Sequence, residues 1–254
     1  MLDKQCLIPL LLSLLAGLST VIGAFIVFFS KSDNKRLITF ALAFSAGVMI
    51  TISFTDLYPS AKTVIINHEG NLKGELLTLF FILIGAFSAF LIDIFLPEDD
   101  NKKNDSSLYR VGFVSMIALM LHNFPEGIAT FVSGYEDTAL GIYIAGAIAI
   151  HNIPEGISIA MPIYYATKKK SLAFKYTFIS GIAEPIGGLL AFLFLKPFIN
   201  DLILSIIFAI VAGIMLYIAF QELIPEARKY GYNLVYIFSL ILGICIIPIS
   251  HIFL

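Results

Sequence analysis

Long apolar runs separated by short polar connections dominate this sequence. Eight runs have the length of about 20 residues that crosses a bilayer as a helix. They cover residues 6–29, 37–58, 75–96, 111–133, 139–165, 173–195, 202–224 and 233–253. The first run is not followed by a small-residue cleavage pattern, so it is expected to stay as a spanning helix. The pattern predicts an all-α integral membrane protein with eight transmembrane helices.

The composition agrees with a single polytopic membrane domain over residues 1–254. Hydrophobic residues make up 59% of the chain and charged residues only 13%, too little polar surface for a soluble domain of 254 residues. The expected partners are the lipid bilayer and a ligand bound within it, and no nucleic acid is expected. The oligomeric state stays open, with a homodimer as one option.

Lysine and arginine collect on one side of the predicted membrane. The connections after helices one, three, five and seven, which include the predicted cytoplasmic loop 97–109, hold twelve basic residues, and the other side holds four. The twelve are Lys31, Lys35, Arg36, Lys102, Lys103, Arg110, Lys168, Lys169, Lys170, Lys175, Arg228 and Lys229; the four are Lys4, Lys62, Lys73 and Lys196. The excess of positive charge predicts that both termini lie outside the cytoplasm.

The chain also contains a weak internal repeat. At a shift of 166 residues, 46–61 aligns with 212–227, which places Asp56 opposite Glu222 and Pro59 opposite Pro225. At a shift of 164 residues, helix one aligns more faintly with helix six. Since the aligned helices are predicted to run in opposite directions, we expect a 3+2+3 arrangement, in which helices 1–3 and 6–8 are inverted repeats around a central pair, helices 4–5.

One motif, His-Asn-x-Pro-Glu-Gly, occurs at 122–127 and again at 151–156, in the middle of helices four and five. Residues four apart share a helix face, so each helix offers an imidazole and a carboxylate to one point. Each proline displaces the carbonyl four residues earlier and is expected to bend its helix. Ionisable groups at mid-membrane are costly and indicate a functional site.

Glu184 in helix six adds a third carboxylate at the same depth, opposite Thr20 in the repeat. Three buried glutamates repel one another unless protons or a cation neutralise them. Imidazole, amide and carboxylate ligands together suit a first-row divalent ion such as zinc, iron(II), cobalt or manganese, whereas magnesium and calcium prefer oxygen alone. The charge suffices for two ions bridged by Glu126 and Glu155, and one ion is the minimal hypothesis. His68 and His251 are instead assigned to solvent or to the membrane interface.

At these residues the chain resembles the Zrt/Irt-like protein (ZIP) family of divalent metal transporters, and most closely its bacterial zinc-transporting branch. The resemblance covers nearly the whole chain, including Ala183-Glu184-Pro185, the 53–57 segment and the 222–227 segment. It implies a transporter that is not an enzyme, with no prosthetic group, which takes up zinc together with iron(II), manganese, cobalt and cadmium across a bacterial inner membrane. It also implies two metal sites, one formed by His122, Glu126, His151 and Glu155, the other by Asn123, Glu126, Asn152, Glu155 and Glu184.

Three features depart from much of that family. The 97–108 segment has no histidine, His151 and Asn152 begin the second motif, and Gln221 precedes Glu222. The first departure argues against metal hand-over by loop histidines. The second resembles the branch of broad metal specificity.

We expect alternating access, in which a metal binds from outside and is released inward as one helix group rocks against the other. Asp56 and Glu222 are the candidate relays on the two sides. A metal-selective channel built from the same ligands is the main alternative. An intramembrane metalloenzyme is less favoured because the His-Glu-x-x-His pattern of zinc proteases is missing.

Overall fold

The computed structural model describes residues 4–29, 34–95, 104–195 and 200–252, and almost all of these are helical. The eight long helices are α1 (Lys4–Phe29), α2 (Lys35–Glu69), α3 (Asn71–Phe95), α4 (Asn104–Glu136), α5 (Thr138–Thr167), α6 (Lys170–Phe194), α7 (Asp201–Arg228) and α8 (Asn233–Ser250). All eight contain a segment apolar enough to cross a membrane, and the described residues contain no strand. The predicted all-helical, eight-span fold is therefore confirmed.

Part of the sequence prediction falls outside this description. Residues 97–103 of the predicted loop 97–109 lie outside the described residues, whereas 104–109 form the first turns of α4. Lys31, Lys102, Lys103 and Lys196 lie outside them as well. The predicted orientation of the termini thus stays a prediction.

A turn of π-helix interrupts α2 at Ser53–Leu57 and α7 at Ile218–Leu223. The two turns lie at positions that the 166-residue shift aligns. Pro59 and Pro225 each follow in the first turn of the next α-helical segment, where proline costs no hydrogen bond. This explains why α2 continues to Glu69 although its apolar run ends near residue 58. Single π turns are frequent at functional sites, and both candidate relays lie in these two turns.

The helices pack in two groups. The first consists of α1, α4, α5 and α6, which contact one another; in the second, α2 packs along α8 and α3 along α7. Contacts of α2 with α5 and of α4 with α7 join the groups. Exchanging α1 with α6, α2 with α7, α3 with α8 and α4 with α5 maps the main helix pairs onto each other, as an inverted repeat requires. The 3+2+3 arrangement itself stays a prediction.

The central helices α4 and α5, which carry the two motifs, are far more buried than α3 and α8. In α3 and α8 only 17% of the most apolar window is buried, which suits helices that face lipid, whereas the corresponding values are 67% for α4 and 61% for α5. Proline does not end either central helix: α4 continues through Pro125 and α5 through Pro154. The two motifs are therefore held on continuous helices inside the bundle.

Candidate metal centre

The two motifs meet between α4 and α5. Within α4, Nε2 of His122 lies 3.2 Å from Oε1 of Glu126, the contact between residues four apart that the helix period predicts. Across the helix pair, the same nitrogen lies 3.1 Å from Oε1 of Glu155, and Nε2 of His151 lies 2.9 Å from Oε1 of Glu126. All four residues are buried, each with an exposed fraction of 9% or less. Both helices therefore contribute to one cluster, as the sequence predicts.

The spacing of these atoms suits ligands of a small divalent ion. Two ligands about 2 Å from a metal lie about 3.3 Å apart in tetrahedral geometry and about 2.9 Å apart at right angles in octahedral geometry. The three distances above span this range. Ligand atoms of His122, His151 and Glu155 all lie within 4.8 Å of one another. To bind one ion between them at about 2 Å, each ligand atom would have to move inward by under about 1 Å.

Hydrogen bonds satisfy this cluster only in part: Nε2 of His151 and Oε1 of Glu126 share one of 2.9 Å. His122 has no hydrogen bond at Nδ1 or Nε2 among the described residues, although Nε2 approaches two carboxylates. Five carboxylate or amide side chains each bury at least one oxygen without a hydrogen-bond partner in the described chain: Asn123, Glu126, Asn152, Glu155 and Glu184. Four hydroxyl groups are also buried without a partner there, those of Thr20, Ser115, Thr130 and Ser180. Buried acceptors without donors are costly, and a cation removes that cost. These five are the residues that the family resemblance implies for the second metal site.

Backbone carbonyls hold the two asparagines in matching positions. Asn123 donates its amide to the carbonyl of Ser180 on α6 (3.2 Å), and Asn152 donates to the carbonyl of Ala16 on α1 (3.0 Å). Ala16 and Ser180 are aligned by the 164-residue shift. Asn152 also donates to Oε2 of Glu184 (2.8 Å). Each asparagine thus uses its amide nitrogen for anchoring and leaves its oxygen for another partner.

The glycines that end the two motifs allow the helices to approach closely. A Cβ atom on Gly127 would overlap the backbone carbonyl of Glu184 on α6, and one on Gly156 would overlap the carbonyl of Thr20 on α1. Thr20 and Glu184 are repeat counterparts, so the close approach is made twice. A further bond, from Oγ of Ser13 to the Glu184 carbonyl (3.0 Å), fixes the backbone that carries the third carboxylate.

A cavity of about 380 Å³ connects this cluster with one end of the bundle. Its wall includes Glu126 and His151 at the centre and Asp56, Ser250 and His251 farther out. The lining comes from α2, α7 and α8 on one side and from α4 and α5 on the other, so the cavity lies between the two helix groups. Asp56 therefore lines a cavity that reaches the centre, and its role as a relay stays a prediction.

The opposite end of the bundle has a network of ion pairs and hydrogen bonds instead. Arg110 on α4 donates to the Asp93 carboxylate on α3 at 2.7 and 3.1 Å, and Tyr217 on α7 donates to the same carboxylate at 3.0 Å. We call Asp93, Arg110 and Tyr217 the inner network. Glu222 lies near it on α7 and is only 8% exposed, so the second candidate relay is largely covered.

Nearby, Glu226 accepts a hydrogen bond from Ser107 on α4 (2.8 Å) and forms an ion pair with Lys229. These contacts add a second tie between α4 and α7 at this end.

Sequence reasoning missed Asp93 and Ser45, and it did not show that the exposed His251 lies beside Asp56. Asp93 is an acidic residue within an apolar run, a signal that was available. Ser45 donates to the carbonyl of Pro154 (2.7 Å) and joins α2 to α5, a role that no local pattern reveals. His251, assigned to solvent or the interface, has Nε2 3.4 Å from Oδ1 of Asp56 and lines the cavity.

Comparison with known proteins identifies the family. A family model described as "ZIP Zinc transporter" matches residues 96–250. Proteins named "Zinc transporter ZupT" are similar over almost their full lengths. The one from Oceanobacillus iheyensis is 44% identical, covering 96% of this chain and 97% of the relative; the one from Clostridium perfringens is 42% identical, covering 97% and 96%. The one from Streptococcus mutans is 41% identical, covering 94% and 95%. The chain therefore belongs to the ZIP family of zinc transporters.

Proposed function

We propose that this protein takes up divalent metal ions across the cytoplasmic membrane of a bacterium, with zinc as a substrate and iron(II), manganese, cobalt and cadmium also accepted. The observation that carries the proposal is the buried cluster of two imidazoles and two carboxylates shared by α4 and α5, at distances that suit one ion. Family membership supports a transporter rather than an enzyme, and the names of the relatives support zinc.

The ligands divide into two overlapping sets. His122, Glu126, His151 and Glu155 would hold one ion through nitrogen and oxygen. Asn123, Asn152 and Glu184, together with the same two glutamates, would hold a second ion through oxygen. The unpartnered oxygen on each of these five residues supports the second set. With three carboxylates, two divalent ions leave a net charge of only +1 when the histidines are neutral. This near-balance favours binding in a medium of low dielectric constant.

The contrast between the two ends of the bundle supports transport by alternating access. A cavity lined by Asp56, Glu126 and His151 lies between the helix groups at one end, which the distribution of basic residues predicts to face outward. At the other end, the inner network joins α4 to α3 and α7. An ion would enter beside Asp56, bind at the centre, and leave beside Glu222 once the first helix group rocks against the second.

Proton movement accompanies metal binding in this proposal. Imidazole and carboxylate ligands must be deprotonated to bind a metal, so an arriving ion displaces protons and a departing ion allows them to return. Protons thereby neutralise the buried glutamates when no ion is present. The same exchange couples metal affinity to pH on either side of the membrane.

The experiment that tests this function is zinc uptake into proteoliposomes containing the purified protein. Glu126→Gln and Glu155→Gln each remove one ligand charge with little change in shape, and we expect zinc flux to fall at least tenfold. Glu136→Gln is the matched control, because Glu136 lies at the exposed end of the same helix α4. Unchanged flux in both central variants would remove the cluster from the pathway.

The same assay separates a carrier from a channel. Flux through a carrier saturates as the zinc concentration rises, because the rate of the conformational cycle limits how many ions cross. Flux that grows with concentration and voltage without saturation would favour the channel alternative.

A further inference from the structure

Asp56 and His251 form a pair outside the central cluster, at the mouth of the cavity. Asp56 lies in the π turn of α2, and His251 directly follows the last residue of α8. Nε2 of His251 lies 3.4 Å from Oδ1 of Asp56, and about a third of each side chain is exposed. Both residues line the same cavity as His151 and Glu126. An ion on its way to the centre along this cavity therefore passes both.

The distance between the two atoms suits a shared metal better than a direct bond. N–H···O hydrogen bonds have donor–acceptor distances of about 2.7–3.2 Å, and 3.4 Å lies outside that range. Two ligands of a tetrahedral zinc ion lie about 3.3 Å apart. Thr55 donates to the other carboxylate oxygen, Oδ2 of Asp56, at 3.0 Å, so the carboxylate is held with Oδ1 toward the histidine.

The pair is not needed to join its helices. α2 and α8 pack closely along their lengths, with Gly47 of α2 and Gly243 of α8 in backbone contact. Thr51 of α2 adds a hydrogen bond to the carbonyl of Ile244 (3.2 Å). An exposed imidazole beside a carboxylate contributes little further stability in such a pairing. A metal-binding role therefore explains why these two side chains lie together at the mouth better than a role in joining α2 to α8 does.

The cavity has room for a hydrated ion between this pair and the centre. A volume of about 380 Å³ corresponds to roughly a dozen water molecules at about 30 Å³ each. Four of the residues that line the cavity carry hydroxyl groups: Ser60, Ser133, Tyr143 and Ser250. An ion held by only two protein ligands would keep several waters and exchange rapidly, which is what a loading site requires.

We propose that Asp56 and His251 form a further divalent-cation site outside the central cluster, completed by water, which captures metal at the mouth of the cavity and loads the central cluster. The loading role rests on the proposed uptake function, whereas cation binding at the mouth does not. The site would take the same class of first-row divalent ions, because it offers one imidazole nitrogen and one carboxylate oxygen.

Binding of Co²⁺ to the purified full-length protein, followed by its visible absorption and by titration calorimetry, tests the site itself. The protein used for this titration carries Glu126→Gln and Glu155→Gln, which disable the central cluster. We expect one weak Co²⁺ site to remain and its affinity to fall at least tenfold when His251→Ala or Asp56→Asn is added. His68→Ala is the matched control, because His68 also lies 3.3 Å from a carboxylate, that of Glu69, but is not part of the cavity wall.

Uptake in an otherwise unchanged protein tests the loading role. His251→Ala should raise the KM for zinc about three- to tenfold and leave the maximal rate within twofold, while His68→Ala changes neither. A purely structural role predicts a lower melting temperature with an unchanged KM.

Co²⁺ binding that persists in the His251→Ala background, or an unchanged KM, would overturn this proposal. Uptake that survives in the central variants would instead contradict the proposed function. The two failures are therefore distinguishable.

Discussion

His122 on α4 lies 3.1 Å from the carboxylate of Glu155 on α5, as close as it lies to Glu126 on its own helix. The imidazole therefore approaches one carboxylate through the helix period and another through helix packing. A small shift of α4 against α5 changes the second distance and leaves the first unchanged. We therefore expect metal affinity in this centre to depend on how α4 and α5 pack against each other.

The mixed nitrogen and oxygen ligands predict which ions compete with zinc. Iron(II), manganese, cobalt and cadmium should inhibit zinc uptake when added at concentrations similar to that of zinc. Magnesium and calcium, which prefer all-oxygen sites, should inhibit by less than about a tenth even at a hundredfold excess. Uptake of radioactive zinc with each ion as competitor measures this. Strong inhibition by magnesium would indicate that the imidazoles do not bind the transported ion.

Zinc affinity should fall as the pH decreases, because protons and zinc compete for the same imidazoles and carboxylates. Below the range in which free histidine titrates, each proton that must leave weakens binding about tenfold per pH unit. Calorimetric titration with zinc between pH 5.5 and 7.5, in two buffers of different ionisation enthalpy, gives the number of protons released. An affinity that is constant over this range, with no proton release, would contradict the ligand assignment.

Gly127→Ala should destabilise the protein and reduce uptake. A Cβ atom there overlaps the Glu184 backbone carbonyl, which cannot rotate away as a side chain would. The gain in helix propensity is about 1 kcal/mol, and we expect the overlap, at about 1–3 kcal/mol or more, to outweigh it. The melting temperature in detergent should therefore fall.

Gly134→Ala on the same helix is the control for this variant, since its Cβ would meet the Pro9 side chain at 3.3 Å, a contact that small shifts relieve. Equal melting temperatures for the two variants would show that the close approach of α4 and α6 is unimportant.

Asp93→Asn should more often open the end of the bundle that holds the inner network. Arg110 and Tyr217 both donate to this carboxylate, and weakening these bonds by about 1 kcal/mol shifts the open population roughly fivefold. A cysteine introduced by Ala219→Cys, with Cys6→Ser and Cys245→Ser, reports access at the end of the bundle that holds the inner network through its labelling rate by an impermeant maleimide.

The control for the inner network is Glu75→Gln, which breaks an ion pair of Lys62 (2.6 Å) near the other end of the bundle. Labelling that rises equally in the two variants would indicate general loosening of the structure and not release of the inner network.

The sequence predicted the fold class because hydrophobic run length and helix period are local properties. Eight apolar runs gave eight helices, and the spacing of four residues placed His122 near Glu126 on one face. The sequence did not predict that α2 extends to Glu69, since a π turn moves Pro59 to a position where the helix tolerates it. It also passed over Asp93, although an acidic residue within an apolar run is a local signal; the arginine on another helix that lies beside Asp93 has no such signal.

What the sequence by itself determined was which side chains are available at mid-membrane and how they are spaced along each helix. Only the tertiary structure decided which helices bring them together: His122 with Glu155, Asn152 with Glu184, and Asp56 with His251. Distances within a helix follow from its repeat of 3.6 residues. Distances between helices depend on packing contacts spread along the whole chain, such as that of Gly127 with the Glu184 backbone, and no single motif contains them.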